Sequence, residues 1–384
     1  MIDQKVKIIE DKKLDCDLAF FSNLNFKLDS GFVLNEFKLA FKTFGNVNSN
    51  KDNVILICHA LTGDQYVAGK NPITNKEGWW DRMVGPNKTI DTNKFFVICS
   101  NVLGGCAGSF GPKEIDNKLN LPFGGNFPSV TIKDMVKAQN LLIESLKIKK
   151  LYAVVGGSMG AMQAIQWSID FPDKIMNIIH IAGALKHSAQ NIAFHEVGRQ
   201  AIMNDPDWCN GNYINKKKRP EKGLSVARML AHITYLSEEA FQRKFGRNLQ
   251  NKLSLAYGFK TDFQVESYLK HQGQAFVDRF DANSYLYITR AMDYFDLPSQ
   301  KKGGLKNIFK NTPVKFCVIS FTSDWVYPTK YSKEIVDSLN AVGANVSFVE
   351  IQTDKGHDAF LLDEKEFNET VRGFLKATAT KLGL

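Results

Sequence analysis

Short apolar runs separated by polar segments recur along much of the chain. The runs that predict strands cover residues 37–44, 54–59, 95–100, 152–155, 178–181, 314–320 and 346–351. Most are continuously apolar, as expected for strands that helices cover on both faces. Segments with helical periodicity alternate with them, at 132–146, 160–170, 330–342 and 363–375. This alternation predicts an α/β fold with a mostly parallel, doubly wound sheet.

The strand pattern stops between about residues 186 and 308. The segment is helical instead, most clearly over 223–236 and 237–245, and strand signals resume at Val314. A chain of 384 residues also exceeds the usual size of one compact domain. We therefore predict a discontinuous core made of residues 1–185 and 309–384, with an inserted helical lid over 186–308.

Composition narrows the classes of function. Hydrophobic residues make up 44% of the chain, which favours a packed interior over disorder. The net charge is +9, but no nucleic-acid-reading motif accompanies it, so no nucleic-acid partner is expected. The densest basic cluster is Lys216-Lys217-Lys218-Arg219. A solvated loop is the first interpretation of this cluster, and attraction of an anionic cofactor such as coenzyme A is the second.

Cysteine spacing and hydropathy bear on metals and location. The six cysteines form no CxxC pair, so we expect no metal site and predict reduced thiols. Residues 1–15 contain no continuous hydrophobic region of the kind found in a secretory signal. No run of about 18 apolar residues predicts a membrane span. The expected location is the cytoplasm.

The strongest chemical motif is Gly156-Gly157-Ser158-Met159-Gly160, which matches GxSxG. It follows the strand predicted at 152–155 and precedes a helix, which is the context of a nucleophile elbow in the α/β-hydrolase fold. A sharp turn there exposes the serine, and small residues on both sides let neighbouring elements approach. Ser158 is the predicted nucleophile. The alternative is a glycine-rich turn that only reverses the chain.

A serine hydroxyl needs a base, and the base needs a group that fixes its tautomer. His357 is the candidate base, because it follows the last predicted strand and the order Ser, acid, His suits this fold. Asp324, in the loop after the strand at 314–320, is the candidate acid. Its alternative role is an Asx turn or helix cap. Asp354 is a competing acid, although it lies very near His357 in sequence.

The oxyanion of acyl transfer needs backbone donors. The amide of Met159, directly after the nucleophile, is one candidate, and the amide of Leu61, in the loop after the strand at 54–59, is the other. His59 precedes this loop. It is interpreted as structural, since one base already serves.

Taken together, several ordered motifs resemble those of the homoserine O-acyltransferase family over nearly the whole chain. They are His59-Ala60-Leu61-Thr62-Gly63, Asn101-Val102-Leu103-Gly104-Gly105-Cys106, Gly156-Gly157-Ser158-Met159-Gly160-Ala161-Met162-Gln163, His187-Ser188-Ala189-Gln190-Asn191, Gly223-Leu224-Ser225-Val226-Ala227-Arg228-Met229, Ser323-Asp324 and Gly356-His357-Asp358. The resemblance implies a ping-pong cycle in which the serine takes an acyl group from acyl-coenzyme A and passes it to homoserine.

The resemblance also implies that Arg228 and Asp358 bind homoserine. A guanidinium suits the carboxylate of an amino acid, and a carboxylate suits its ammonium. From the residues alone, Arg228 would be a solvent-facing helix residue and Asp358 a loop charge.

The acyl donor is expected to be acetyl-coenzyme A, with no permanently bound cofactor. Succinyl-coenzyme A, serine as acceptor, and a serine esterase are the alternatives. Phe110 stands where many relatives have a smaller residue, so the acyl pocket is expected to differ. The resemblance further implies a homodimer built through the lid. Residues 231–236 of the lid are apolar enough to bury against a partner, and packing on the chain's own core is the alternative.

Overall fold

The computed structural model describes residues 5–380 and is organised around one nine-stranded sheet. Its strands are β1 Lys5–Asp11, β2 Cys16–Ser22, β3 Phe37–Phe44, β4 Val54–Cys58, β5 Phe96–Ser100, β6 Leu151–Gly157, β7 Ile175–Ile181, β8 Lys315–Phe321 and β9 Asn345–Ile351. They lie in the order β1-β2-β3-β5-β4-β6-β7-β8-β9. The five ladders from β5 to β9 are parallel, whereas the three that join β1, β2, β3 and β5 are antiparallel.

Helices cover both faces of this sheet. They are α1 Ile132–Ser145, α2 Met159–Asp170, α3 Ala189–Met203, α4 Glu221–Tyr235, α5 Glu238–Lys244, α6 Gln264–Val277, α7 Ala282–Asp293, α8 Gly304–Phe309, α9 Thr329–Asn340 and α10 Lys365–Ala379. Short 3-10 turns occur at Gly124–Asn126, Pro172–Lys174, Pro206–Gly211, Leu297–Gln300 and Gly356–Phe360. The predicted α/β class with a mostly parallel, doubly wound sheet is confirmed.

Strand β4 shows how the core divides. All five of its residues are buried. Val54, Leu56 and Cys58 pack into one apolar cluster, and Ile55 and Ile57 pack into a second cluster on the opposite face. This is the period of two expected for a strand with both faces covered. It explains why the sequence of β4 is apolar without alternation.

Between Ile181 and Lys315 the described chain consists of helices, short 3-10 turns and loops, with two isolated β-bridges and no strand. Helices α3, α4, α6 and α7 of this segment contribute side chains to the same apolar cluster as β4, including Leu224 and Phe276. The segment therefore packs directly on the sheet that carries the elbow. The bounds 186–308 for a separate lid stay a prediction.

The sequence pattern missed the hairpin of β1 and β2 at the amino end. Most of β1 is exposed, because it lies at the edge of the sheet. Its charged residues are interspersed with apolar ones, so the sequence shows no continuous apolar run there. Residues 1–4, part of the segment interpreted as too polar for a secretory signal, lie outside the described residues. None of the helices within residues 5–380 combines the length and apolarity needed to cross a membrane.

Candidate active site

Ser158 lies at the turn between β6 and α2, with φ 58° and ψ −122°. A residue with a side chain seldom adopts positive φ, so neighbouring contacts must hold it there. Its amide donates to the Ile181 carbonyl at 3.0 Å. A Cβ at Gly156 would lie 2.0 Å from the Gly160 carbonyl oxygen, and one at Gly160 would lie 2.1 Å from that of Cys58. The elbow therefore requires glycine at both positions.

Three buried side chains form one hydrogen-bonded chain across three loops. His357 Nε2 is 2.9 Å from Ser158 Oγ, and His357 Nδ1 is 2.8 Å from Asp324 Oδ2. A carboxylate can only accept, so Nδ1 carries the proton and Nε2 is left to accept from the serine hydroxyl. This is the arrangement in which an imidazole can remove the hydroxyl proton during attack on a carbonyl.

The geometry of Asp324 fits both roles that its sequence position allows. Its Oδ1 accepts from the amides of Val326 and Tyr327, each at 2.9 Å, which is an Asx-type turn at the end of β8. Its Oδ2 faces the imidazole. Asp354, the competing acid, instead pairs with Arg243. Within residues 5–380 it makes no hydrogen bond to the imidazole, so the geometry favours Asp324 as the partner.

Charge and burial act in opposite directions on the histidine. Burial alone would lower the pKa of His357, but the charge of Asp324, its hydrogen bond and the nearby charge of Asp358 together raise that pKa above its ordinary value. Burial raises the pKa of Asp358 to about 6, although the charges of His357 and Arg228 oppose this shift. A titratable pair with perturbed pKa values thus lies beside the serine.

The two amides predicted for the oxyanion have no competing acceptor. Met159 is the first residue of α2, so its N–H has no acceptor within the helix. The N–H of Leu61 makes no hydrogen bond to any residue in the described range. Leu61 lines a cavity together with Ser158 and His357. Both donors are therefore available to a charge that develops near Ser158.

His59 holds the Leu61 loop in place. Its Nδ1 donates to the Ala60 carbonyl at 2.8 Å, and its Nε2 accepts from the Val102 amide at 3.2 Å. Burial lowers the pKa of His59 to about 4, so the ring is neutral and can accept at Nε2. Gln163 of α2 also donates to the His59 carbonyl, at 3.1 Å. These bonds connect the nucleophile helix to the loops after β4 and β5.

Comparison with known proteins assigns the chain to a family. Residues 53–364 match the family model of the α/β hydrolase fold. A homoserine O-acetyltransferase of Rhodospirillum rubrum is 59% identical over 358 residues, which cover 93% of this chain and 92% of that protein. The homoserine O-acetyltransferase of Pelagibacter ubique is also 59% identical, over 92% of this chain and 95% of that protein. The chain belongs to the homoserine O-acetyltransferase family.

Solved structures agree on the fold within this family and beyond it. A homoserine O-acetyltransferase from Bacillus anthracis superposes with a TM-score of 0.83 at 26% identity, covering 97% of each chain. The structure of esterase E22 superposes equally well, with a TM-score of 0.82 at 28% identity, covering 98% of this chain and all of that one. Backbone shape therefore does not separate acyl transfer from ester hydrolysis.

Arg228, which only the family resemblance singled out, reaches the site from α4. Its Nη1 donates to Thr62 Oγ1 at 3.3 Å, and its guanidinium lies 4.9 Å from the ring centroid of Phe276 and 5.7 Å from that of Tyr235. The Tyr235 ring is in turn 5.8 Å from that of His357. Arg228 forms no ion pair with any of residues 5–380. Its charge is therefore free to meet an anionic group of a substrate.

A small cavity adjoins the nucleophile. It has a volume of about 40 Å³ and is lined by Ser158 and His357 together with mostly apolar side chains, among them Phe194, Leu230 and Met292. Among residues 5–380, no lysine or arginine lines it. Phe110, expected to alter the acyl pocket, is not part of this lining either. It packs against Phe123 and Phe127 instead, with ring centroids 5.6 and 5.3 Å away.

A second buried hydrogen-bond chain, absent from the sequence reasoning, contacts this site. Asp293 Oδ1 lies 2.9 Å from His187 Nδ1, and His187 Nε2 lies 2.7 Å from the Tyr327 hydroxyl. The Tyr327 ring is 5.4 Å from that of His357. His187 is 106 residues from Asp293 and 140 residues from Tyr327 in sequence, so no local sequence pattern could have predicted these contacts.

His195 completes a histidine and carboxylate cluster around Asp293. Its Nδ1 lies 2.9 Å from the same Oδ1. The ligand atoms of His187, His195 and Asp293 are close enough together to hold one metal ion. Arg199, however, donates to Asp293 Oδ2 at 2.7 Å. A guanidinium at that carboxylate disfavours a metal cation there.

Proposed function

We propose that the chain transfers an acetyl group from acetyl-coenzyme A to the hydroxyl of L-homoserine through a covalent intermediate on Ser158. The names of relatives 54–59% identical over more than nine-tenths of the chain support homoserine O-acetylation. The hydrogen-bonded order Ser158, His357, Asp324 supports the covalent route.

The cycle has two halves. His357 takes the proton of Ser158 as Oγ attacks the thioester carbonyl, and the amides of Leu61 and Met159 stabilise the oxyanion. The carbon–sulfur bond then breaks, and the leaving thiolate receives that proton. In the second half, His357 takes the proton of the homoserine hydroxyl, which attacks the acetylated serine. The serine oxygen leaves with the proton, and O-acetylhomoserine is released.

The assignment of homoserine as the acceptor rests on two opposite charges near the base, those of Arg228 and Asp358. Arg228 has no ion pair with any residue in the described range, so it can hold the homoserine carboxylate through two parallel N–H donors. Asp358 follows His357 directly, and its charge is felt by the imidazole. An ammonium bound at Asp358 would bring the homoserine chain beside His357. Water offers neither charge, so this pair favours homoserine over hydrolysis.

The cavity beside Ser158 supports acetyl over succinyl. Its volume of only about 40 Å³ suits a short acyl group better than a longer one. The longer succinyl group would place a carboxylate among apolar side chains, without a cation in the lining to compensate its desolvation.

The test reads the mass added to Ser158. The protein is mixed with acetyl-coenzyme A or succinyl-coenzyme A without acceptor, and the peptide carrying Ser158 is weighed, with Ser158→Ala as control. We expect one acetyl group on the parent, none on the variant, and rapid loss of the label when homoserine is added. An unlabelled parent refutes the covalent route.

A hydrolase is the second candidate, because the esterase E22 fold is so similar. A serine esterase would lose the acetyl label to water at the same rate with and without homoserine. A succinyl label in place of acetyl would refute the donor assignment and leave the transfer mechanism standing.

We also propose that two copies associate through the helical segment. Ile192 and Val197 on α3 and Val226 and Ile233 on α4 are exposed by 38%, 56%, 49% and 42%. The two helices pack against each other, so their exposed apolar residues can share one surface. No resident cofactor or metal enters the proposed cycle, and location in the cytoplasm stays a prediction.

A further inference from the structure

A large basic cavity lies at the edge of the helical segment. It has a volume of about 670 Å³ and opens to solvent. Five basic side chains and three acidic ones line it: Lys113, Lys217, Lys218, Arg219 and Arg279, with Glu221, Asp278 and Asp281. We name this space the basic cavity. Three of the four residues of the basic cluster 216–219 therefore share one concave surface.

The acidic residues leave part of this charge uncompensated. Lys218 pairs with Asp207 at 2.8 Å and Arg219 with Glu221 at 3.4 Å, both exposed. Such pairs contribute little and exchange partners readily. Lys217 has no ion pair with any residue between 5 and 380. The cavity can therefore present several donors to an anion with more than one charge.

Lys113 and Arg279 extend this charge inwards. Lys113 lies 3.5 Å from Asp281, whose carboxylate already accepts from the Tyr213 hydroxyl at 2.5 Å. The half-buried Arg279 donates to the Thr62 carbonyl at 2.9 Å and has no ion pair in the described chain. A guanidinium at this depth suits a ligand that reaches inwards from the mouth of the cavity.

A second cavity adjoins the basic cavity on the side of the loop that carries Leu61 and Thr62. It has a volume of about 330 Å³, shares Ile73, Asp278 and Arg279 with the basic cavity and has Arg228 in its wall. Arg228 and Arg279 both donate to Thr62. Thr62 follows Leu61, which lines the catalytic cavity. An arm of a ligand anchored in the basic cavity can therefore run past Arg279 towards the loop of Thr62 and Leu61.

We propose that the basic cavity binds the phosphate groups of the acyl donor, a nucleotide thioester whose flexible arm delivers the acyl group to Ser158. This inference rests on the proposed function for its ligand. Phosphates accept several charge-assisted hydrogen bonds at once, which lysine and arginine supply. A basic cleft also raises the local concentration of an anionic donor and speeds its association. Binding of the phosphates, far from the reacting carbonyl, then supplies energy that helps to position the thioester.

Lys217→Glu is the decisive variant, and Lys216→Glu is its matched control. Both side chains are exposed and lie in the same loop, but only Lys217 lines the cavity. Homoserine acetylation is measured with acetyl-coenzyme A and with S-acetylpantetheine, which has the same thioester and no phosphate. Reversing one partly screened charge is expected to raise KM for acetyl-coenzyme A about tenfold. KM for S-acetylpantetheine stays unchanged, and Lys216→Glu stays within about twofold of the parent for both donors.

Direct binding separates this proposal from the proposed function. Calorimetry is expected to show that Lys217→Glu binds coenzyme A and adenosine 3′,5′-bisphosphate more weakly than the parent does. This result is expected even if the parent does not acetylate homoserine. In kinetics, the bisphosphate should compete with acetyl-coenzyme A but not with S-acetylpantetheine. The assignment would be overturned if Lys217→Glu raised KM equally for both donors, or if Lys216→Glu raised KM for acetyl-coenzyme A as much as Lys217→Glu does. It would also be overturned if Lys217→Glu bound coenzyme A as tightly as the parent, or if the bisphosphate bound without competing with acetyl-coenzyme A.

Discussion

Replacing Arg228 with methionine is expected to damage only the half-reaction that uses homoserine. The guanidinium lies over the rings of Phe276 and Tyr235 and makes one long hydrogen bond, to Thr62. Methionine keeps most of the apolar contact with those rings and removes the charge. The change therefore tests recognition of the carboxylate with limited loss of packing.

The magnitude follows from the two hydrogen bonds that a bidentate pair would supply. Each hydrogen bond to a charged group contributes about 1.5–3 kcal/mol, so losing both costs about 3–6 kcal/mol. Since about 1.4 kcal/mol is a factor of ten, kcat/KM for homoserine should fall about 10²- to 10⁴-fold. Acetylation of Ser158 precedes homoserine binding in the proposed cycle, so its rate should stay within about threefold of the parent.

A ping-pong cycle allows the two halves to be measured apart. Thiol released in the first turnover without homoserine reports acetylation, and steady-state rates across homoserine concentrations report transfer. Arg290→Met is a suitable control, because Arg290 is an exposed arginine that likewise stacks on a ring, that of Tyr294 at 5.4 Å. Loss of the first-turnover thiol in Arg228→Met, or an unchanged kcat/KM for homoserine, would refute the role assigned to Arg228.

Three further changes test other parts of the site. Asp324→Asn should lower kcat about 10³- to 10⁴-fold, since an amide no longer fixes the tautomer of His357; acetylation at the parental rate would contradict this. Because the base must be neutral and its pKa is raised, kcat/KM should fall as pH drops through a value above 6.5. Asp358→Asn removes one cause of that rise, so the acidic limb should move to lower pH, and an unmoved limb would count against the coupling. Val226→Glu should yield monomers in sedimentation, and a dimer of parental affinity would exclude this surface.

The elbow was predictable because its cause is local. Strand, glycine-rich turn and helix follow one another within about twenty residues. The GxSxG motif itself contains Gly156 and Gly160, the two positions where a side chain would clash. The positions of Asp324 and His357 were also accessible, because in a parallel sheet the carboxyl ends of neighbouring strands share one edge. Strands β8 and β9 do pair in parallel, and the loops that follow them meet at the elbow after β6.

Arg228 shows where local reasoning ends. From its residue type alone, Arg228 would be a solvent-facing residue of a helix, and only the family resemblance suggested a role. Its hydrogen-bond partner Thr62 lies 166 residues earlier, brought near because α4 packs on the helices that cover the sheet. A single helix pattern indicates which face is apolar, but it does not specify which loop a polar residue on the rim will meet.

The two aspartate–histidine–hydroxyl chains show why residue types alone do not define a catalytic site. Asp293, His187 and the Tyr327 hydroxyl repeat the donor order of the chain that ends at Ser158. Burial raises the pKa of Tyr327 well above its ordinary value, so its hydroxyl stays protonated. Burial also lowers the pKa of His187 to about 4, which makes that ring a poor base. The Ser158 chain differs in its strained elbow, its free backbone donors and a histidine whose pKa is raised, and these are properties of the folded surroundings that the sequence pattern does not contain.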